Sequence, residues 1–427
     1  MTALPPPAIS TPPERSVGPQ WLFLVIMAGL GMVGPFSIDT IFPAFAQMQA
    51  EWGVSELALQ QLISVYLLSF AVMSLLHGPL SDALGRKPVI IGGTILFIAA
   101  SVGCAVSPSL PVLLFFRAIQ GLAAGAGQII SRAMVRDVFS NDQAQRTMSH
   151  IAMIFGLAPA IAPIIGGWLL GIGSWRGIFW FLVGFGVVIL LLVIFALAET
   201  HPPELRSKFD GRTLVSGLLG VWRNRDGRRL AFTGMFNFAG MFLYISSAPL
   251  FVLKLLEKGE QDFWILFVPL ISGLVLGSWV SGRLAGRMSG RRLASLGYLI
   301  SLAGGLVNLV FSLFPATQAL PWAVLPLPVY SFGIAIAFPI LTLAMLDLFP
   351  NARGSASSVQ SFVALIANAF IAGVLAPAVA FSQPSLAVTA LALTTVAWFL
   401  WRRHLQMTHA EPVATPDAPA YEPTDEM

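Results

Sequence analysis

Asp39 and Arg117 each stand inside a long apolar run of this 427-residue chain. A charge placed in hydrocarbon is costly, so such residues face a cavity or pair with one another. Desolvation favours the neutral form of a carboxylate and a neighbouring cation favours the ionised form. An Asp39–Arg117 pair would therefore take up and release a proton as the space around it dries or fills; a purely structural ion pair is the alternative. A third acid, Asp82, is crowded with Arg86 and Lys87 into Gly78-Pro79-Leu80-Ser81-Asp82-Ala83-Leu84-Gly85-Arg86-Lys87-Pro88, a short glycine-bounded hinge between two apolar runs.

The elements that position these residues follow from composition. The chain is 56% hydrophobic and 10% charged, whereas soluble chains carry about a quarter charged residues. Crossing a hydrocarbon layer of about 30 Å takes about 20 apolar helical residues. Twelve such runs are predicted, at 21–46, 56–76, 88–107, 111–134, 147–170 and 177–197, then 230–253, 263–285, 293–314, 321–346, 355–381 and 384–401. They are continuously apolar, which favours helices over the alternating strands of a barrel. One span plus a re-entrant piece is the alternative for 355–401, given the tight Ser382-Gln383-Pro384 connection. The expected class is an all-α membrane protein with two six-helix bundles, 21–197 and 230–402, joined by a cytoplasmic loop at 198–229. Flexible cytoplasmic tails are expected at 1–20 and 403–427. Residues 1–20 lack the basic and apolar regions of a signal peptide.

Lys and Arg accumulate in cytoplasmic loops. With the N-terminus inside, 20 of the 24 fall on the inner side and only Arg176, Lys254 and Lys258 on the outer, Arg117 being the remaining one. Both termini are thus expected in the cytoplasm, and lipid accounts for the basic balance without nucleic acid. Helical rise then puts Asp39 roughly 10 Å and Arg117 roughly 9 Å below the same outer surface. Cys104 is the single cysteine and cannot form an intramolecular disulfide. There is no Cys/His cluster with metal spacing and no phosphate-cradling loop, so neither a metal nor an ATP-driven pump is suggested. No catalytic constellation points to an enzyme.

The two halves echo one another. Asp137-Val138-Phe139-Ser140-Asn141 recurs as Asp347-Leu348-Phe349-Pro350-Asn351, and Gly78-Pro79-Leu80 through Gly85-Arg86-Lys87 recurs as Gly282-Arg283-Leu284 through Gly290-Arg291-Arg292. Repeats related by an axis along the membrane normal characterise one large class of secondary transporters.

On these motifs the chain resembles the major facilitator superfamily, within it the twelve-span drug:proton antiporters, and more narrowly the Bcr/CflA group of bacterial multidrug exporters. The hinge at 78–88 matches the signature loop between spans two and three. Arg117-Ala118-Ile119-Gln120-Gly121 matches the Arg-x-x-Gln-Gly pattern associated with proton coupling. Gly156, followed by Ala162-Pro163-Ile164-Ile165-Gly166-Gly167, resembles the antiporter motif of span five, with Ala162 where glycine is usual. Asp39-Thr40-Ile41-Phe42-Pro43 resembles the span-one Asp-x-x-x-Pro element, where the acid serves substrate and proton binding.

The resemblance implies export of drug-like amphipathic molecules against protons across a bacterial inner membrane, by a monomer that needs no cofactor beyond the proton gradient. It implies proton coupling by Asp39 and Arg117. It also implies a gate of Gly78, Asp82, Gly85, Arg86, Lys87 and Arg136, with Asp82 locking onto the Gly354–Ser357 stretch when the protein faces outward. A solvated loop is the plain alternative for Asp82. Candidate pocket residues, beside Asp39, are Tyr66, Gln120, Asn237, Tyr244, Phe236 and Phe338, although aromatic residues in spans commonly face lipid or neighbouring helices. A proton-coupled carrier of a metabolite such as a sugar or amino acid on the same fold is the second reading.

Overall fold

The computed structural model describes residues 19–139, 141–206, 210–284, 287–349 and 352–410. The N-terminal half contains α1 (Gln20–Asp39), α2 (Phe45–Trp52), α3 (Glu56–Ser74), α4 (His77–Leu84), α5 (Arg86–Ala105), α6 (Leu110–Val138), α7 (Asn141–Ile172) and α8 (Arg176–Ala196). A connecting helix α9 (Gly211–Arg223) leads to α10 (Arg225–Ser246), α11 (Trp264–Leu284), α12 (Gly290–Leu313), α13 (Leu327–Leu348), α14 (Arg353–Phe370), α15 (Ala376–Val379) and α16 (Gln383–Ala410). Ten helical stretches are long and apolar enough to cross a membrane. α7 and α10 complete twelve among the described residues. α10 opens with Arg225, Asp226, Arg228 and Arg229, and the described apolar part of α7 covers Leu157–Ile172.

Side chains with local hydrogen-bonding power set several helix starts, because the first backbone N–H groups of a helix need acceptors. Ser55 accepts from the Ala58 amide at 3.3 Å. Asn224 accepts from the amides of Asp226 and Gly227 at 2.9 Å each. Asp210 caps α9 through the amides of Arg212 and Thr213, and the Thr213 hydroxyl together with the Arg212 amide holds its carboxyl below the usual aspartate range.

Several expectations need correction. The first span is not one helix: it ends at Asp39, turns through a 3₁₀ segment at Phe42–Ala44 that contains Pro43, and resumes as α2. The loop 198–229 is not open chain, since α9 occupies its centre. The tenth helix starts at Leu327 rather than 321, after Pro326 and with Pro328 in its first turn, where the missing amide costs nothing. Residues 355–401 form two long helical segments, so the re-entrant alternative falls. α16 continues beyond 403 to Ala410 because Trp401 is buried, donates from Nε1 to Ser295 Oγ at 3.2 Å and stacks with His404. Residues 1–18 and 411–427 of the expected tails lie outside the described residues.

Small residues let the helices of the N-terminal half meet backbone to backbone. A side chain at Gly121 on α6 would run into the Tyr66 carbonyl and meet Ser69 Cβ at 3.0 Å on α3. Nothing lies within 4 Å of a Cβ placed at Gly78. We expect Gly121→Val to lose about 1–3 kcal/mol through overpacking against an immovable backbone, read as a lower melting temperature of the purified protein, while Gly78→Ala leaves that temperature unchanged or raised.

Candidate functional site

Arg117 is fully buried on α6. Its Nε donates to the Leu62 carbonyl at 3.0 Å, and Nη1 donates to the Ser37 carbonyl at 2.9 Å, the Ser37 hydroxyl at 3.0 Å and Gln120 Oε1 at 2.9 Å. The guanidinium lies 4.4 Å from the centroid of the buried Tyr66 ring. Nη2 has no hydrogen-bond partner among the described residues. One cation is therefore held by neutral oxygens and an aromatic face, an arrangement that fixes its position without neutralising it.

Asp39 is also buried, at 4% exposure, but no hydrogen bond or ion pair joins it to Arg117 among the described residues. The expected pair is not made in this structure. The reason is angular: residues two apart on a helix point about 200° apart, and it is Ser37 that faces Arg117. Asp39 is the last residue of α1, beside the place where α7 crosses. A side chain at Gly166 of α7 would collide with the Thr40 carbonyl, and one at Gly167 would come within 2.7 Å of the Glu260 carbonyl and 3.2 Å of Gln261 Cα in the other half. The two glycines thus serve different seams. Pro163 sits within α7; the surroundings of Gly156 lie outside the described residues.

Of the pocket candidates, several are occupied by the protein itself. Gln120 donates from Nε2 to Ser101 Oγ at 2.7 Å while accepting from Arg117, so it orients the arginine. Tyr244 accepts from Asn308 Nδ2 at 2.5 Å. Asn237 donates to the Ile334 carbonyl at 3.2 Å, leaving its buried Oδ1 unpartnered. Phe236 packs against the lower apolar cluster of the second half with Val221, Leu230 and Tyr298. Phe338 is 48% exposed on α13.

The hinge is built more fully than its motif indicates. Gly78 lies inside α4, and Gly85 alone takes a left-handed backbone, at φ 100°, which favours glycine. Arg86 forms ion pairs with Asp82 and, at 3.1 Å, with Asp137. Asp137 also accepts from the Thr200 hydroxyl at 2.9 Å. Glu199, just past α8, accepts from the amides of Arg86 and Lys87 at 3.1 Å each, so an acid more than a hundred residues away caps α5. Lys87 Nζ donates to the Ile194 carbonyl at 2.8 Å. The side chain of Arg136 lies outside the described residues. Sequence reasoning missed Glu199 and Thr200; the signal was an acid directly after span six with no other purpose.

Contacts between the halves gather at the Glu56 end. Glu56 and Lys254 form an ion pair, Gln60 Nε2 donates to the Ser246 carbonyl at 3.0 Å, Gln61 Nε2 to the Gly373 carbonyl at 2.9 Å, and Ser64 Oγ to the Ala369 carbonyl at 2.8 Å. Phe42 and Phe267 approach with ring centroids 6.2 Å apart. At the opposite end the Asp82 side chain is 45% exposed and its ion partner, Arg86, belongs to its own half.

Two pseudo-symmetric six-helix halves, the first of which holds the buried Asp39 and Arg117, define a secondary transporter of the two-bundle kind. A model of the Major Facilitator Superfamily matches residues 23–372, and the chain belongs to that superfamily. It is 26% identical over 361 residues to the Bicyclomycin resistance protein homolog of Haemophilus influenzae, covering 83% of this chain and 89% of the relative. It is 29% identical over 340 residues to Multidrug resistance protein D of Escherichia coli, covering 79% and 83%. These relatives bear out the narrower resemblance to the Bcr/CflA group. Among solved structures, a D-xylose–proton symporter superposes with a TM-score of 0.71 at 16% identity, over 90% of this chain and 97% of that one, a likeness of fold alone.

Removing the remote cap tests the hinge. Glu199→Ala leaves the Arg86 and Lys87 amides without their acceptor and should cost about 1 kcal/mol; a melting temperature in detergent equal to that of the parent would refute the capping role.

Proposed function

We propose that the protein exports amphipathic, drug-like molecules in exchange for protons, with Asp39 as the group that carries the proton and Arg117 as a fixed cation nearby. The observation that carries this reading is the pair's separate housing. Arg117 is immobilised by Leu62, Ser37 and Gln120, whereas Asp39 stands at a helix end next to Thr40 of the Gly166 seam with no ion pair among the described residues. A carboxyl group so placed changes charge when water or substrate reaches it, and the fixed guanidinium biases that change through space. Relatives named for bicyclomycin and multidrug resistance support drugs over sugars or amino acids as cargo. The same preference is supported by the engagement of Gln120, Asn237 and Tyr244 with protein groups, which leaves few polar handles of the kind a sugar needs.

The Lys and Arg distribution supports a topology with both termini and the Asp82 end in the cytoplasm. On that orientation the closed Glu56 end is the outer one, and the conformation is inward-facing. Asp82, released from the second half in this state, would close onto the start of α14 in the other. No cofactor is needed in this scheme; the proton gradient supplies the energy.

In sealed vesicles with an imposed pH gradient, uptake of a fluorescent lipophilic cation should run opposite to proton movement reported by an internal pH dye. Asp39→Asn should abolish the gradient-driven component and keep the parent's melting temperature; undiminished uptake would remove Asp39 from the proton path. Asp82→Asn should lower turnover without weakening substrate binding, and an unchanged turnover number would show that the acid is no gate.

A further inference from the structure

The connecting helix α9 has two apolar faces, one packed against the bundle and one largely exposed, which meets the bundle where Trp222 approaches Phe232 of α10 with ring centroids 6.1 Å apart. Its 13 residues span about 20 Å. Val221 is buried and Leu218 packs beside it in the cluster with Leu230, Met345 and Ala356. A Cβ at Gly217 would meet Ser355 Oγ of α14 at 2.7 Å. This side fastens α9 to the start of α14. The second face consists of Val215, Leu219 and Trp222, exposed by 51%, 43% and 40%. Their spacing of four and three residues aligns them in one stripe.

At about 100° per residue, Arg212 and Arg223 fall beside this stripe on the side away from α14, and Arg225 follows at the next helix start. All three are exposed, and none forms an ion pair among the described residues. The nearby acids are committed elsewhere: Asp210 to capping α9, and Asp226 to Arg229 at 2.8 Å. The resulting order around the helix is packed apolar, exposed apolar, cationic, then polar. That is the cross-section of a helix lying in a membrane–water interface.

Two arginine–tryptophan pairs stand at the same end of the bundle. Arg283 lies over Trp279 at 4.7 Å, and Arg402 over Trp398 at 5.1 Å. Such amphipathic pairs belong at headgroup level, and α9 leads into α10, which packs along α16, the helix that carries the second pair. A solvent-facing helix gains nothing from an exposed tryptophan stripe edged by unpaired arginines; an anionic lipid surface complements both features.

We propose that α9 docks on anionic phospholipid, with Val215, Leu219 and Trp222 entering the acyl boundary and Arg212, Arg223 and Arg225 meeting the phosphates. The test uses the full chain in nanodiscs of phosphatidylcholine alone and of phosphatidylcholine mixed equally with phosphatidylglycerol, reading amide hydrogen exchange across 211–223. Exchange should be about fivefold slower or more in the anionic discs, and high salt should remove the difference. The triple variant R212Q/R223Q/R225Q should lose the lipid dependence, while R212K/R223K/R225K, which keeps the charge, should retain it. Equal exchange in the two lipids would overturn the proposal, as would a glutamine variant that still distinguishes them. Inorganic phosphate that slows exchange equally in phosphatidylcholine discs would overturn it too, because the arginines would then bind free phosphate rather than a membrane. None of these readouts requires transport, so they stand apart from the antiport reading.

Discussion

The burial of Arg117 is the constraint around which the N-terminal half is arranged. A guanidinium cannot shed its proton in a protein, so in an apolar bundle it must draw its acceptors from the surrounding helices, and here Nε and Nη1 find oxygen. Leu62 supplies a carbonyl from α3, Ser37 supplies two oxygens from α1, and Gln120 supplies an amide one turn along α6. Each acceptor lies on, or is held by, a different helix. Gln120 is in turn fixed by Ser101 of α5. The arginine therefore ties four helices together, and the close approach that permits this is enforced at Gly121, where α6 and α3 touch along their backbones. Packing and charge solvation are one requirement here.

That arrangement also explains why Asp39 stands apart. With the Ser37 carbonyl and hydroxyl filling Nη1, α1 has given its share to the arginine one half-turn before the acid. The chain then breaks at Thr40 and Pro43, which frees Asp39 from helical neighbours on its C-terminal side. A carboxyl at a helix C-terminus stands at the negative end of the dipole, so Asp39 draws no support from its own helix.

The sequence carried the fold class plainly, since runs of about 20 apolar residues bounded by Arg and Gly admit few alternatives. It placed Asp39 and Arg117 at comparable levels, and Ser37, two residues before the acid, does reach the arginine, although the helical count from Ala46 behind that estimate crosses the break after Asp39. Azimuth was not legible: whether Ser37 or Asp39 faces α6 depends on how α1 is rotated, and α1 is apolar all round. The direction of the aromatic candidates was hidden for the same reason: Phe236 packs against an apolar cluster, and Phe338 is exposed on α13. α9 was hidden because its charged flanks make residues 198–229 read as loop, although Asp210 ahead of a Leu/Val/Trp pattern was a start signal. The hinge acids were half legible. Asp82 lies within the motif, whereas Glu199 becomes meaningful only when α8 brings it to the start of α5.

The Glu199 cap sets an order on the chain's birth. The acceptor for the first amides of α5 lies 113 residues downstream, and at synthesis rates of about 5–20 residues per second it leaves the ribosome roughly 6–23 s after Arg86. Throughout that interval the hinge has its basic side chains but not its carboxylate clasp. The N-terminal bundle can lock only once its sixth span has been delivered, so a ribosome stalled before residue 199 would leave five inserted helices around an unfinished turn.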